Sequence, residues 1–203
     1  MREVTLKKRL ICFGDSITAG WDGKREQPSL TRRLEKGLGW LVRNAGVPGE
    51  TTEQALARMD RDVLIHSYDR VTILFGANDS SFHKGIPLEK FADNVVIIAK
   101  ACGPDKAILI TPSPVIEEKQ KGKRMNTRVA LYADAVRRAA VETKSSLIDL
   151  HRFMLEESDY GPMLQEDGLH FSNAGYDLLS ALIVREIKKA ENHKKSFFNR
   201  SES

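Results

Sequence analysis

Five short apolar runs punctuate the chain, and longer stretches with helical spacing separate most of them. The runs are residues 10–13, 41–44, 71–75, 107–111 and 147–150. Each is bounded by Gly, Pro, Asn or Asp and is rich in β-branched or large aliphatic residues, the pattern of a buried strand. Residues 52–66, 87–102 and 126–143 carry apolar side chains at helical spacing, with Val129, Tyr132, Val136, Ala139 and Ala140 forming one such face. A last helix is expected after Ser172, a plausible N-cap, with Leu178, Leu179, Leu182, Ile183 and Ile187 on one side. Strands that alternate with helices predict an α/β fold, a parallel sheet covered on both faces. In such sheets ligands bind beyond the carboxyl ends of the strands. Ser16 follows the first run, Gly49 the second and Asn78 the third, so all three are expected on one rim.

The chain has 203 residues, 41% hydrophobic and 30% charged, which suits one domain with a sizeable core and excludes a disordered or membrane-embedded chain. The expected division is a domain over residues 1–190 and a basic, polar, flexible tail over 191–203. Much of the net charge of +4 lies near that tail, where Lys188, Lys189, Lys194, Lys195 and Arg200 meet only Glu191 and Glu202. The remainder is close to neutral, so charge does not point to nucleic acid as a partner. The basic start at Arg2, Lys7, Lys8 and Arg9 leads into an apolar stretch too short for a signal-peptide core. No apolar run approaches a membrane span, and Phe197 and Phe198 alone do not predict stable membrane anchoring. Cys12 and Cys102 cannot make a disulfide framework, which favours a reducing cytoplasm. Nothing in the pattern specifies an oligomeric state.

Four segments carry groups suited to acyl transfer at a serine: Gly14-Asp15-Ser16, Asn44 to Gly49, Gly76-Ala77-Asn78-Asp79, and Asp167-Gly168-Leu169-His170. Ser16, just past a strand, is the candidate nucleophile. A neutral hydroxyl needs a base, and Asp167 lies about one turn from His170, where it can orient that imidazole toward Ser16. Gly49 offers a backbone N–H with no side chain in the way, Asn78 a side-chain amide, and Ser16 its own N–H. The first three segments also have plainer readings. Asp15 and Ser16 can cap a helix, Gly46, Pro48 and Gly49 can form a turn, and Asn78 and Asp79 can cap the next element. Asp149 and His151 are a rival acid–base pair. His83 is a minor candidate, while His66 reads as solvated and His193 lies in the tail.

Together and in this order, the four segments resemble the blocks of the SGNH hydrolases, also called the GDSL family of lipases and esterases. The resemblance spans residues 10 to about 187. It implies a flavodoxin-like three-layer αβα sandwich with five parallel strands. It also implies Ser16 as nucleophile, Asp167 and His170 completing a triad, and an oxyanion hole of Ser16, Gly49 and Asn78. No cofactor or metal is implied. Residues 74–79 and 109–114 are similar to the isoamyl acetate-hydrolysing esterase branch, which implies short-chain esters and an intracellular setting.

The expected reaction is therefore hydrolysis of small or short-chain acyl esters through an acyl-enzyme. Lysophospholipids, thioesters and acetylated sugars stay open as substrates of the same machinery. A silent binding domain and a metal-dependent phosphoesterase using Asp15, Asp79 and His170 are the alternatives of other classes. Asp15, Trp21 and Phe82 are candidate substrate contacts. Ile86, Met154, Met163 and Leu164 either line an acyl pocket or pack the core.

Overall fold

Strand β1 (Arg9–Gly14) pairs on one side with β2 (Leu41–Gly46) and on the other with β3 (Arg70–Leu74), followed outward by β4 (Ala107–Ile110) and β5 (Ser146–Ile148). Every pair is parallel, in the order β2-β1-β3-β4-β5. This computed structural model describes residues 7–201, with side chains as far as Asn192. The helices are α1 (Ser16–Ala19), α2 (Ser29–Leu38), α3 (Thr52–Met59), α4 (Leu88–Cys102), α5 (Asn126–Thr143), α6 (Leu150–Leu155) and α7 (Asn173–Ser201). The result is the expected flavodoxin-like three-layer sandwich, whose strand order reverses direction between β1 and β3.

Successive residues of a strand point to opposite faces, so a strand buried on both sides feeds two cores. Ile11 and Phe13 join Val71, Ile73 and Leu109 beneath α3, α4 and α5. Leu10 and Cys12 join Leu74, Ile108 and Ile110 beneath α2, α6 and α7. The two thiols, Cys12 and Cys102, are free and buried, one on each side of the sheet.

Some element limits differ from the sequence expectation. Residues 52–66 do not form one helix, because α3 gives way at Asp60 to a π-helical turn, Asp60–Leu64. That wider turn keeps Val63 fully buried and Asp62 within 3.0 Å of Arg58. The fifth strand stops at Ile148 because the Asp149 side chain accepts the Arg152 N–H and starts α6. Helix α2 was not foreseen: its apolar residues, Leu30, Leu34 and Leu38, stand one turn apart in a basic stretch, and they face the core under α7. Helix α7 continues past Lys188, where the apolar pattern ends, to Ser201; Ala, Glu and Lys are strong helix formers and need no packed face to extend it. Arg2, and the side chains of His193, Phe197 and Phe198, lie outside the described residues. Among the described residues no helix is long and apolar enough to cross a membrane.

The register sets up the site. Gly14 is opposite Gly46 on one side and Leu74 on the other, so β1, β2 and β3 end level. The loops that follow them open on one rim, above the point where the strand order reverses.

Candidate active site

Ser16 is placed by the tight exit from β1. A Cβ on Gly14 would lie 2.1 Å from Thr18 Oγ1 and 2.6 Å from the Leu74 carbonyl oxygen, so only glycine fits there. Asp15 then caps α1, its Oδ1 accepting the Ile17 N–H at 2.9 Å. The Ser16 carbonyl accepts from Trp21 N–H at 3.0 Å, which closes the turn.

The His170 segment reaches the same place from the other end of the chain. Leu164 and Phe171 form an antiparallel bridge, and the Gln165 N–H donates to the His170 carbonyl at 2.7 Å. Within that loop Asp167 Oδ1 accepts the N–H groups of Leu169 and His170 at 2.9 and 3.0 Å. Its Oδ2 lies 2.5 Å from His170 Nδ1, and His170 Nε2 lies 3.0 Å from Ser16 Oγ. Burial alone would raise the Asp167 carboxyl, but the imidazole and the two backbone donors outweigh it and hold it well below the usual carboxylate range. The ionised carboxylate can only accept, so Nδ1 carries the proton and Nε2 presents a lone pair to the hydroxyl.

The candidate oxyanion donors are the N–H groups of Ser16 and Gly49 and the Asn78 amide. Gly49 has φ +82°, and a Cβ there would meet nothing within 4 Å. Among the described residues no hydrogen bond ties down the N–H of Ser16 or of Gly49. The Asn78 Nδ2 donates to the Glu50 carbonyl at 3.0 Å and faces Asp15 Oδ2 at 3.4 Å. Asp79, completely buried, binds the two donor loops together: it accepts Thr52 N–H at 2.8 Å, Thr52 Oγ1 at 2.7 Å and Gly76 N–H at 3.1 Å.

Asp15 is also buried, and burial, aided by the nearby Asp79, pushes its carboxyl up to about 7 despite the Ile17 N–H. Its oxygens face Ile17 and Asn78. Trp21 lines a cavity of about 440 Å³ with Gln27, Gln165 and Tyr176. A second cavity, about 470 Å³, opens at Gly49 and is lined by Thr51, Gln54, Lys84 and Ile86. Phe82 is half-exposed, with the Arg128 guanidinium 5.3 Å from its ring centre. Met154 and Leu164 pack in the core instead of lining a pocket. Neither Asp149 nor His151 bonds to Ser16; Asp149 is held by Arg137, and His151 Nε2 has no partner among the described residues. Among those residues no group of three or more His, Cys, Asp or Glu is placed to hold a metal ion.

Two arginines at the site had no sequence signal. Arg58, on α3, donates to the carbonyls of Gly14 and Ala45, at 3.0 and 2.9 Å, and pairs with Glu50 beside Gly49. Arg124 donates to Ala77 O and Asn78 Oδ1. It lies in the charged stretch of residues 119–124, yet it is only 8% exposed.

Comparison with known proteins gives the site a family. The model of the GDSL-like lipase/acylhydrolase family matches residues 12–178. The isoamyl acetate-hydrolyzing esterase 1 homolog of Homo sapiens is 34% identical over 210 residues, covering 89% of this chain and 82% of its own. The isoamyl acetate-hydrolyzing esterase of Saccharomyces cerevisiae is 30% identical, covering 89% and 86%. Among solved structures, the lipase/acylhydrolase from Enterococcus faecalis aligns with a TM-score of 0.86 at 37% identity, over 90% of this chain and 96% of that one. A family model that matches most of the chain, relatives aligned almost end to end and a shared fold give one conclusion: the chain belongs to the GDSL-like lipase/acylhydrolase family of ester hydrolases.

Proposed function

We propose that this protein is a serine esterase acting on small, short-chain acyl esters, with Ser16 as nucleophile, His170 as general base and Asp167 as the group that orients it. The observation that carries the reading is the unbroken path from Asp167 Oδ2 through the imidazole to Ser16 Oγ, with contacts of 2.5 and 3.0 Å. His170 Nε2 takes the hydroxyl proton as Oγ attacks the ester carbonyl carbon. The carbonyl oxygen becomes an oxyanion facing the N–H groups of Ser16 and Gly49 and the Asn78 amide. When that intermediate collapses, His170 returns the proton to the departing alkoxide, and the alcohol leaves. Water then attacks the acyl-enzyme, giving its proton to His170, and the second collapse restores Ser16 and releases the acid. Asp167 stays ionised throughout.

The cavities at Gly49 and Trp21, about 470 and 440 Å³, lie at the small end of ligand sites and suit acetyl to hexanoyl groups. The names of the human and yeast relatives support acetate esters of simple alcohols. Two free, buried thiols support a reducing, cytoplasmic location. The test is a series of p-nitrophenyl esters of rising acyl length, run beside isoamyl acetate, acetylated sugars and lysophosphatidylcholine. Turnover is expected to fall beyond hexanoyl with no jump at the micellar threshold, and a serine-directed phosphonate should label Ser16. Strong interfacial activation, or a preference for lysophospholipid, would replace the short-ester reading. A phosphonate that labels nothing would remove the esterase.

A further inference from the structure

Arg124 meets the oxygen end of the Asn78 amide, and its bonds are all to neutral acceptors. Its Nε donates to the Ala77 carbonyl at 2.5 Å, Nη1 to Gln120 Oε1 at 2.8 Å and Nη2 to Asn78 Oδ1 at 3.1 Å. Gln120 in turn donates through Nε2 to the Asp167 carbonyl at 2.8 Å. One buried cation therefore links the loop that bears the oxyanion amide to the loop that bears the acid. Burial disfavours its charge, while Asp15 and Asp167 favour it. Keeping an arginine there with no carboxylate bonded to it costs free energy, so its place calls for a reason beyond packing.

An asparagine amide can face either way, and the two ends look alike to a packing shell. They differ to a guanidinium, which has donors and no acceptor. Whatever atom of Asn78 faces Arg124 must be the oxygen. The nitrogen is thereby committed to the other side, toward the Glu50 carbonyl and Asp15, the neighbour of Ser16. A cation on the oxygen also polarises the amide and makes its N–H a stronger donor. We propose that Arg124 is a positioning residue of the reaction: it locks the orientation of the Asn78 amide and strengthens its donation to the oxyanion, and Gln120 holds it in register with Asp167. This rests on the esterase reading above and on Asn78 as an oxyanion donor.

The test is a double-mutant cycle of Arg124→Lys and Asn78→Ala, read as kcat and KM for p-nitrophenyl acetate. It is paired with the affinity for an aryl trifluoromethyl ketone. The ketone traps the geometry in question: Ser16 Oγ adds to its carbonyl carbon, the proton passes to His170, and the former carbonyl oxygen becomes an oxyanion. Lysine keeps the charge but cannot serve three acceptors with the fixed fork of a guanidinium. Arg124→Lys is expected to lower kcat about 10- to 100-fold with KM within about threefold, since a small misplacement of a catalytic group costs that much. Ketone affinity should fall by a similar factor. In the Asn78→Ala background the same change should cost less than about threefold.

A guanidinium that merely held the fold would cost as much with Asn78 as without it, and such additivity overturns the inference. So does full activity of Arg124→Lys. If Asn78→Ala itself leaves kcat unchanged, the oxyanion assignment fails and takes this inference with it. A slow Asn78→Ala enzyme with additive costs sinks the inference alone. Should Arg124→Lys not fold, NMR of the wild-type protein decides: a scalar coupling across the hydrogen bond, from the Arg124 Nη2 proton to the Asn78 Cγ, is expected. Absence of that coupling, with strong cross-relaxation between the Asn78 NH2 and the guanidinium protons, is the mark of a flipped amide and refutes the lock.

Discussion

Asp149 with His151 and Asp167 with His170 are two acid–imidazole pairs of similar spacing in one chain, and their surroundings make them opposite in kind. Asp149 gives both oxygens to Arg137, each at 2.8 Å, and also accepts from Thr111 and the Arg152 N–H. Although burial works the other way, Arg137 holds its carboxyl below the ordinary value. His151 beside it is buried; burial first and Arg137 second push its imidazole below the ordinary value. That pair is a neutral ring beside a carboxylate already claimed. Asp167, with 43% of its side chain exposed, has no arginine on it, and one of its oxygens is left for an imidazole. Sequence spacing alone does not separate the two pairs. What separates them is which donors the fold delivers to the carboxylate first.

The largest effect that tests this contrast is removal of the proposed nucleophile or base. Ser16→Ala and His170→Ala should each fold normally and lose roughly 10³-fold or more of kcat/KM. His151→Ala should stay within about threefold of the parent. If His151 proves indispensable, the roles of the two pairs must be exchanged. Next comes the proposed oxyanion donor: Asn78→Ala should lower kcat by roughly 10²- to 10³-fold with a smaller change in KM. Equal losses at saturating and limiting substrate are the sign of a transition-state contact, and a change confined to KM would make Asn78 a ground-state contact instead.

The structural pair predicts the converse. Arg137→Ala should keep esterase activity while losing about 1–3 kcal/mol of stability in urea denaturation, because Asp149 is left without its main donor. The folded-state pKa of Asp149 is depressed, so its contribution is present above the ordinary carboxyl value and fades as pH falls. The gap between parent and variant should therefore shrink below about pH 4, and a gap that widens in acid would contradict the pairing.

A further stability effect comes from Asp15 and has the opposite sign. Its folded-state pKa is raised from 3.8 to about 7, so the folded protein holds a proton that the unfolded chain gives up in that window. Stability should decline as pH rises across that range, by a part that Asp15→Asn removes. Parallel pH profiles of parent and variant would show that Asp15 does not carry this proton.

The layers and the rim could be read from the chain because they follow from local rules. Runs such as residues 10–13 and 71–75 are apolar on both faces, so they had to be buried strands, and parallel strands place Ser16, Gly49 and Asn78 together. Helix α2 escaped because three leucines one turn apart in a basic stretch acquire meaning only when α7 covers them. The arginine brace escaped for a sharper reason. Arg58 and Arg124 act largely by donating to the backbone carbonyls of Gly14, Ala45 and Ala77, and a carbonyl acceptor leaves no trace in the identity of the residue that bears it. Residues 119–124 are mostly basic, and the fold alone turns Arg124 inward.

The two thiols offer a way to watch this molecule open. Cys12 lies in β1, four residues before Ser16, and Cys102 ends α4; both are almost wholly shielded, and burial pushes each thiol up to about 12. A shielded thiol with so little thiolate does not react with iodoacetamide while the chain stays closed, so alkylation counts openings. Peptide mapping of the label then resolves two clocks, one for the central strand that leads to Ser16 and one for the end of a peripheral helix. Their ratio tells whether that strand loosens by itself or only when the whole domain lets go.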